Sequence, residues 1–241
     1  MTDRPYYPVM LNMAGAPCCL IGGGRVAERK ALALLEAEAH VTVVSPVFTP
    51  QLEAWAAAGS ITALRRRYEP GLPALAAARL VFASTDDASV NAAVRAEAEA
   101  LGKLVNVADD AAASGFIVPA TVRRGRLTLA VSTAGASPAA AAMVRRRLEG
   151  TFGPEYGPYL ELLHELRLVV QQAVPDTAVR QELFRAMLEW QLLPLLKSEA
   201  SSEALETLRG DLLHRVQQAP TLEGIRSIGA WIGLQQPEAG R

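Results

Sequence analysis

The residues best spaced for chemistry are Gly22-Gly23-Gly24, followed by Arg25, Val26 and Ala27. They follow an apolar run (18–21) and open an amphipathic stretch (26–39). Within a βαβ unit, the spacing G-x-G-x-x-A is that of a dinucleotide-binding turn. Gly22 would permit the tight turn and Gly24 the approach of a pyrophosphate, while Ala27 would let the helix pack closely on the strand. Amides at the helix N-terminus would then face the phosphate charge. A bare glycine turn without a ligand is the plain alternative.

In an open α/β sheet, ligands lie beyond the carboxyl ends of the strands. That rule selects 84–87 and 106–110. Asp109 stands past an apolar run and before a flexible alanine-rich segment. Its carboxylate could act as a general base, orient a cation or cap the loop. Thr85 could touch the nicotinamide half of a cofactor, and Asn106 falls at the same edge as a substrate contact. Asp86 and Asp87 precede a helix and read first as N-caps. Past the second strand, where an acid often grips the ribose, the sequence has Val44-Ser45-Pro46-Val47. The backbone and the Ser45 hydroxyl would have to hold the ribose, which leaves NAD and NADP both open. Arg65-Arg66-Arg67 could meet a 2′-phosphate or form an exposed basic face.

A second anion-friendly helix start is 132–138, containing Thr133 and Ser137. Arg123, Arg124 and Arg126 lie on the adjoining turn. Arg145, Arg146 and Arg147 follow in the helix, where they could complement its C-terminal dipole. Together these residues would suit a substrate with several carboxylates. His40, His164 and His214 are far apart and form no ligand motif.

These residues need elements to position them. Strands are expected at 18–21, 40–45, 61–64, 80–84 and 104–107, alternating with helices at 26–39, 50–59 and 88–101. Such alternation indicates a parallel sheet. A hairpin (116–122 and 127–132) and a helix from 137 to 148, closed by Gly150, come next. Beyond 151, strand signals vanish and four amphipathic helical stretches remain, with 197–203 as a polar linker. The fold class is therefore α/β. A Rossmann-like parallel sheet domain (1–112) is followed by a small α+β region (113–150) and an all-helical domain (151–241).

Composition excludes other classes. The 241 residues are 50% hydrophobic and 20% charged, against wholesale disorder. A net charge of −1 argues against a nucleic-acid coat. No apolar run is long enough for a transmembrane helix, and the N-terminus lacks a secretory signal pattern. The two adjacent cysteines, Cys18 and Cys19, read as buried reduced thiols in a strand. A cytoplasmic protein with no nucleic-acid or membrane partner is expected.

The blocks LIGGGRVAERK, LVFASTDDASVN, LVNVADD, GFIVPA and STAGASP, in this order and spacing, resemble the precorrin-2 dehydrogenase family, the dehydrogenase module of siroheme synthase. The resemblance covers about 7–150, and 151–241 match only as a helical tail. It implies NAD-dependent oxidation of precorrin-2 to sirohydrochlorin, on the route to siroheme or cobalamin, by a homodimer. Some members also insert Fe2+ or Co2+. Carried over by position, Gly22, Gly23, Gly24, Arg25 and Val26 would meet the pyrophosphate. Pro46 and Val47 would lie on the adenosine side. Asp109 matches the base, which is also the metal-insertion residue where chelatase activity exists. Thr133 falls where some members carry Ser in the substrate loop. No methyltransferase module follows, so the fused three-activity form is not expected. Two other readings remain, a non-catalytic NAD-sensing module and a chelatase with a vestigial cofactor loop.

Overall fold

The computed structural model describes residues 6–197 and 202–234. They divide into two compact units, separated between Val118 and Pro119.

In the first unit five parallel strands form one sheet in the order β3-β2-β1-β4-β5. The strands are β1 (Pro17–Ile21), β2 (His40–Val44), β3 (Ile61–Leu64), β4 (Leu80–Ala83) and β5 (Leu104–Val107). Helices α1 (Arg25–Leu35), α2 (Pro50–Ala57), α3 (Pro73–Ala77) and α4 (Ala88–Ala100) connect them. The central strands β1 and β4 are short and apolar because both faces are covered. Cys18, Leu20, Val41, Val43, Leu80 and Phe82 pack on one face with Ala27, Ala31 and Leu34 of α1 and Leu52 of α2. Cys19, Ile21, Val44, Val81, Ala83 and Val105 pack on the other with Leu75 of α3 and Val94 and Ala98 of α4.

This alternation explains the paired cysteines. Neighbouring strand residues point to opposite faces, so Cys18 and Cys19 sit in different cores as free thiols. Burial pushes the Cys18 thiol up to about 11 and the Cys19 thiol up to about 12. Both stay protonated and unreactive near neutral pH.

Local chemistry sets the helix ends. Thr49 caps α2 by accepting from the Leu52 amide at 3.3 Å, with Pro50 at the first helical position. Helix α1 ends at Leu35, short of the expected 39, because Glu38 turns left-handed (φ 59°) and the Ala39 amide returns to the Leu34 carbonyl at 3.0 Å. The five-residue α3 has no expected counterpart.

In the second unit β6 (Ala120–Arg124) and β7 (Leu127–Val131) form an antiparallel hairpin, followed by α5 (Pro138–Thr151). The first hairpin strand begins after Pro119, not at 116, since Phe116 belongs to the first unit's core. Arg123 and Arg124 lie within β6, and the turn is only Gly125-Arg126. Gly125 (φ 55°) takes the positive φ required at the first position of a II′ hairpin turn. Helix α5 runs past Gly150 to Thr151, so Arg145–147 do not sit in its last turn, and Arg145 pairs with Glu149.

Helices α6 (Tyr156–Ala173), α7 (Thr177–Met187), α8 (Leu192–Lys197), α9 (Ser202–Gln218) and α10 (Leu222–Leu234) complete the unit around a core of Leu162, Leu166, Leu183, Met187, Leu212 and Ile225. The apolar stripes expected beyond 151 fall on α6, α7, α9 and α10; α8 is an addition. Most of the expected linker, residues 198–201, lies outside the described residues. Among the described residues no helix is long and apolar enough to cross a membrane.

Candidate active site

The strand order reverses at β1, with β2 on one side and β4 on the other. A doubly wound sheet opens a crevice at this point, beyond the carboxyl ends of its strands. Here the crevice is a cleft of about 930 Å³. All nine expected cofactor residues line it: Gly22, Gly23, Gly24, Arg25, Val26, Ser45, Pro46, Val47 and Thr85. Asp109 lines it as well.

The three glycines have separate tasks. Gly22 (φ 118°) makes the turn, and a Cβ there would come within 2.3 Å of the Ser84 carbonyl oxygen. A Cβ at Gly23 would come within 2.0 Å of the Val47 carbonyl oxygen, and the Gly23 carbonyl accepts from the Thr49 amide at 3.0 Å. Gly23 therefore lets the segment after β2 close onto the turn. A Cβ at Gly24 would meet nothing within 4 Å. That face of the turn is open. No side chain caps α1 at Gly24, so its first amides are left for an anion. Ser84 Oγ, at the same crevice, is a buried polar atom without a hydrogen-bond partner. The residues present fit a dinucleotide.

The segment after β2 that lines the cleft, Ser45 to Thr49, contains no acid. Ser45 is buried, and its hydroxyl accepts from the Val47 amide at 3.4 Å. Arg67 lines the cleft, whereas Arg65 pairs with Glu53 and lies 5.6 Å from the centre of the Phe48 ring. Tyr68, which the sequence did not single out, also lines the cleft and donates to Glu97. Burial first, and then this hydrogen bond, raises the Tyr68 phenol above its usual range. The Thr85 hydroxyl is already engaged, with the Asn91 Oδ1 at 2.8 Å and the Asp87 carbonyl oxygen at 3.0 Å. Asp87 caps α4, accepting from Ser89 and Val90.

Asp109 follows β5 on a turn that is fastened rather than flexible. Ser114 Oγ accepts from the Val107 amide at 2.9 Å and contacts the Asp110 carbonyl oxygen at 2.7 Å. The Asp110 carboxylate in turn accepts from the Ala113 amide at 2.9 Å. Asp109 itself is exposed and left-handed (φ 59°), a conformation that Asp tolerates better than most residues. Such backbone positions gather at functional sites.

Residues 9–120 match a family model of NAD(P)-binding domains, and 124–151 match the model of the central part of sirohaem biosynthesis proteins. Over 9–151 this chain belongs to the siroheme-synthase family. The siroheme synthase of Chromobacterium violaceum is 42% identical over 184 residues, 76% of this chain and 39% of that protein. Siroheme synthase 1 of Aeromonas salmonicida is 36% identical over 217 residues, 90% of this chain and 44% of that protein. The chain thus spans about two-fifths of the length of these curated relatives. The solved structure of SirC, precorrin-2 dehydrogenase, shares the fold with a TM-score of 0.62 at 24% identity, over 95% of this chain and 100% of that one.

Several residues expected to meet substrate already have partners within the protein. Asn106 is buried, with Oδ1 accepting from Lys30 Nζ at 2.7 Å and Nδ2 donating to the Phe116 carbonyl at 3.0 Å. It braces β5 and is not a free contact. Arg124 Nε donates to the Phe152 carbonyl at 3.1 Å. Arg126 makes two bonds to Glu161, at 2.7 and 3.2 Å. Thr133 Oγ1 donates to the Ser137 carbonyl at 3.1 Å and accepts from its amide at 3.2 Å. Ser137 Oγ caps α5 by accepting from Ala140 at 3.1 Å. Arg123, like Thr133 and Ser137, belongs to the second unit.

Lys30 is a residue that the sequence analysis missed. A signal was present: it shares the i, i+3, i+4, i+7 stripe of Ala27, Ala31 and Leu34, the buried side of α1. A lysine on an apolar stripe needs a reason.

Proposed function

We propose that this chain oxidises precorrin-2 to sirohydrochlorin with NAD. The observation that carries the reading is the single cleft lined by the nine cofactor residues and by Asp109. NAD, when bound, supplies the acceptor for the hydride that leaves the macrocycle. The chain supplies placement and a base. The first amides of α1 hold the pyrophosphate against the open face of Gly24, and Ser45, Pro46 and Val47 receive the adenosine side. The proton lost in the same oxidation passes to the Asp109 carboxylate, so the substrate gives up one hydride and one proton. The fastened turn after β5 holds that carboxylate at the cleft.

The homodimer belongs to the same reading. Helix α5 has no buried residue, and its Met143 and Val144 are 42% and 36% exposed. That supports a second copy covering this part of the chain. Metal insertion would be a separate step with Fe2+ or Co2+ as substrate. Among the described residues no group of three or more His, Cys, Asp or Glu side chains could hold a metal ion, so Asp109 is its remaining candidate ligand.

One incubation tests the reading. Purified protein is mixed with precorrin-2 and NAD, or NADP in parallel, and reduced nicotinamide is followed by absorbance before divalent metal is added. Reduced cofactor should form only when both partners are present. Tight NAD binding without turnover would instead favour the non-catalytic sensing module. Light scattering of the same preparation should give the mass of a dimer, and a monomer would remove that part of the reading.

A further inference from the structure

Lys30 projects from the cofactor-binding helix α1 toward the end of β5. Its ammonium donates to Asn106 Oδ1 at 2.7 Å and lies 5.1 Å from the centre of the Phe82 ring. Phe116 closes the other side, edge-on to Phe82 with ring centres 5.4 Å apart. The cation is thus half-buried in an aromatic and amide setting, and forms no ion pair among the described residues. Burial lowers the Lys30 pKa, Arg29 adds to that effect, and the Asp109 carboxylate opposes it. Asn106, which holds the ammonium, lies on β5 three positions before Asp109.

Such a cation is costly to keep without an anion. An ammonium has three donors, and the neutral Asn106 oxygen takes one of them. A residue kept for packing alone would be served better by the leucine or alanine found elsewhere on the same stripe of α1. The arginines expected to meet acidic groups, Arg124 and Arg126, are engaged within the second unit.

We propose that Lys30 is a substrate-binding residue that anchors a carboxylate of the tetrapyrrole beside Asp109. Asn106 is its positioning residue, aiming the ammonium and tying it to the strand that leads into the Asp109 turn. This proposal deepens the dehydrogenase reading and rests on it.

The test uses the full chain and uroporphyrin, a stable polycarboxylate macrocycle, with binding measured by fluorescence quenching. A charge-assisted hydrogen bond contributes about 1.5–3 kcal/mol, so Lys30→Met should weaken uroporphyrin binding by about ten- to a hundred-fold. With precorrin-2 it should raise KM more than it lowers kcat. Lys30→Arg should restore most of the affinity, and NAD affinity and melting temperature should stay near wild type. Unchanged uroporphyrin affinity in Lys30→Met overturns the proposal. So does a fall in NAD affinity and melting temperature that Lys30→Arg does not rescue, since that marks a structural brace. If wild-type protein neither binds uroporphyrin nor oxidises precorrin-2, the dehydrogenase reading fails as well. If wild type does both and Lys30→Met matches it, only the lysine assignment fails.

Discussion

Asp109→Asn should lower turnover of precorrin-2 by about 10²–10⁴-fold, the usual contribution of a positioned general base, while leaving NAD affinity unchanged. Asparagine is the informative substitution because it, too, tolerates the left-handed backbone at this position (φ 59°). The fastened turn after β5 should therefore keep its shape, and only the proton acceptor is lost. Alanine would mix that loss with backbone strain. Single-turnover formation of reduced nicotinamide, set beside calorimetric NAD binding, separates the two quantities. Equal losses in both would make Asp109 part of the cofactor cradle. No loss in either would remove it from the chemistry.

The second large effect concerns the glycine turn, where neighbouring substitutions should behave in opposite ways. Gly23→Ala puts a Cβ within 2.0 Å of the Val47 carbonyl oxygen and 2.9 Å of Ser45 Oγ. Backbone cannot yield as a flexible side chain does, so the segment after β2 must move away. Overpacking of this kind costs about 1–3 kcal/mol, which should appear as a lower melting temperature together with weaker NAD binding. Gly24→Ala meets no protein atom within 4 Å. Its stability should stay near wild type, while the added methyl stands on the open face expected to receive the pyrophosphate. NAD affinity should then fall at least as far as in Gly23→Ala. Thermal melts and calorimetry on the two variants read this crossing pattern directly. Retained NAD affinity in Gly24→Ala would mean that the dinucleotide lies elsewhere.

Much of this arrangement is legible in the order of residue types. The central strands β1 and β4 are apolar on consecutive residues because each lies between two helical layers, and that pattern needs no tertiary knowledge. The turn glycines are legible because a close approach of backbone to ligand, and a positive φ, are conditions that few other residues meet. Asp109 stood out because a carboxylate at the end of a buried strand faces the place where ligands bind.

Other features were not legible, for reasons that can be named. Arg124, Arg126, Thr133 and Ser137 have the right chemistry for an acidic substrate, but their partners are a carbonyl, a carboxylate and each other, brought near by the chain's path. The alanine-rich loop after Asp109 looked flexible, because the one hydroxyl that fastens it, Ser114, acts through contacts four and seven residues away. Gly150 looked like a helix stop, yet nothing at that position forces the chain to turn, and α5 continues to Thr151.

The amino-acid sequence alone determined that five short apolar segments alternate with helices, that a glycine turn follows the first of them, and that a carboxylate follows the last. Those are local conditions, set by side-chain size, periodicity and the conformational freedom of glycine. The tertiary structure alone decided which polar groups remain available at the crevice. Lys30 and Asn106 are 76 positions apart and only the folded sheet sets them 2.7 Å from each other. Whether a charged group is spent on the protein or kept for a ligand depends on distance in space, which no local pattern encodes.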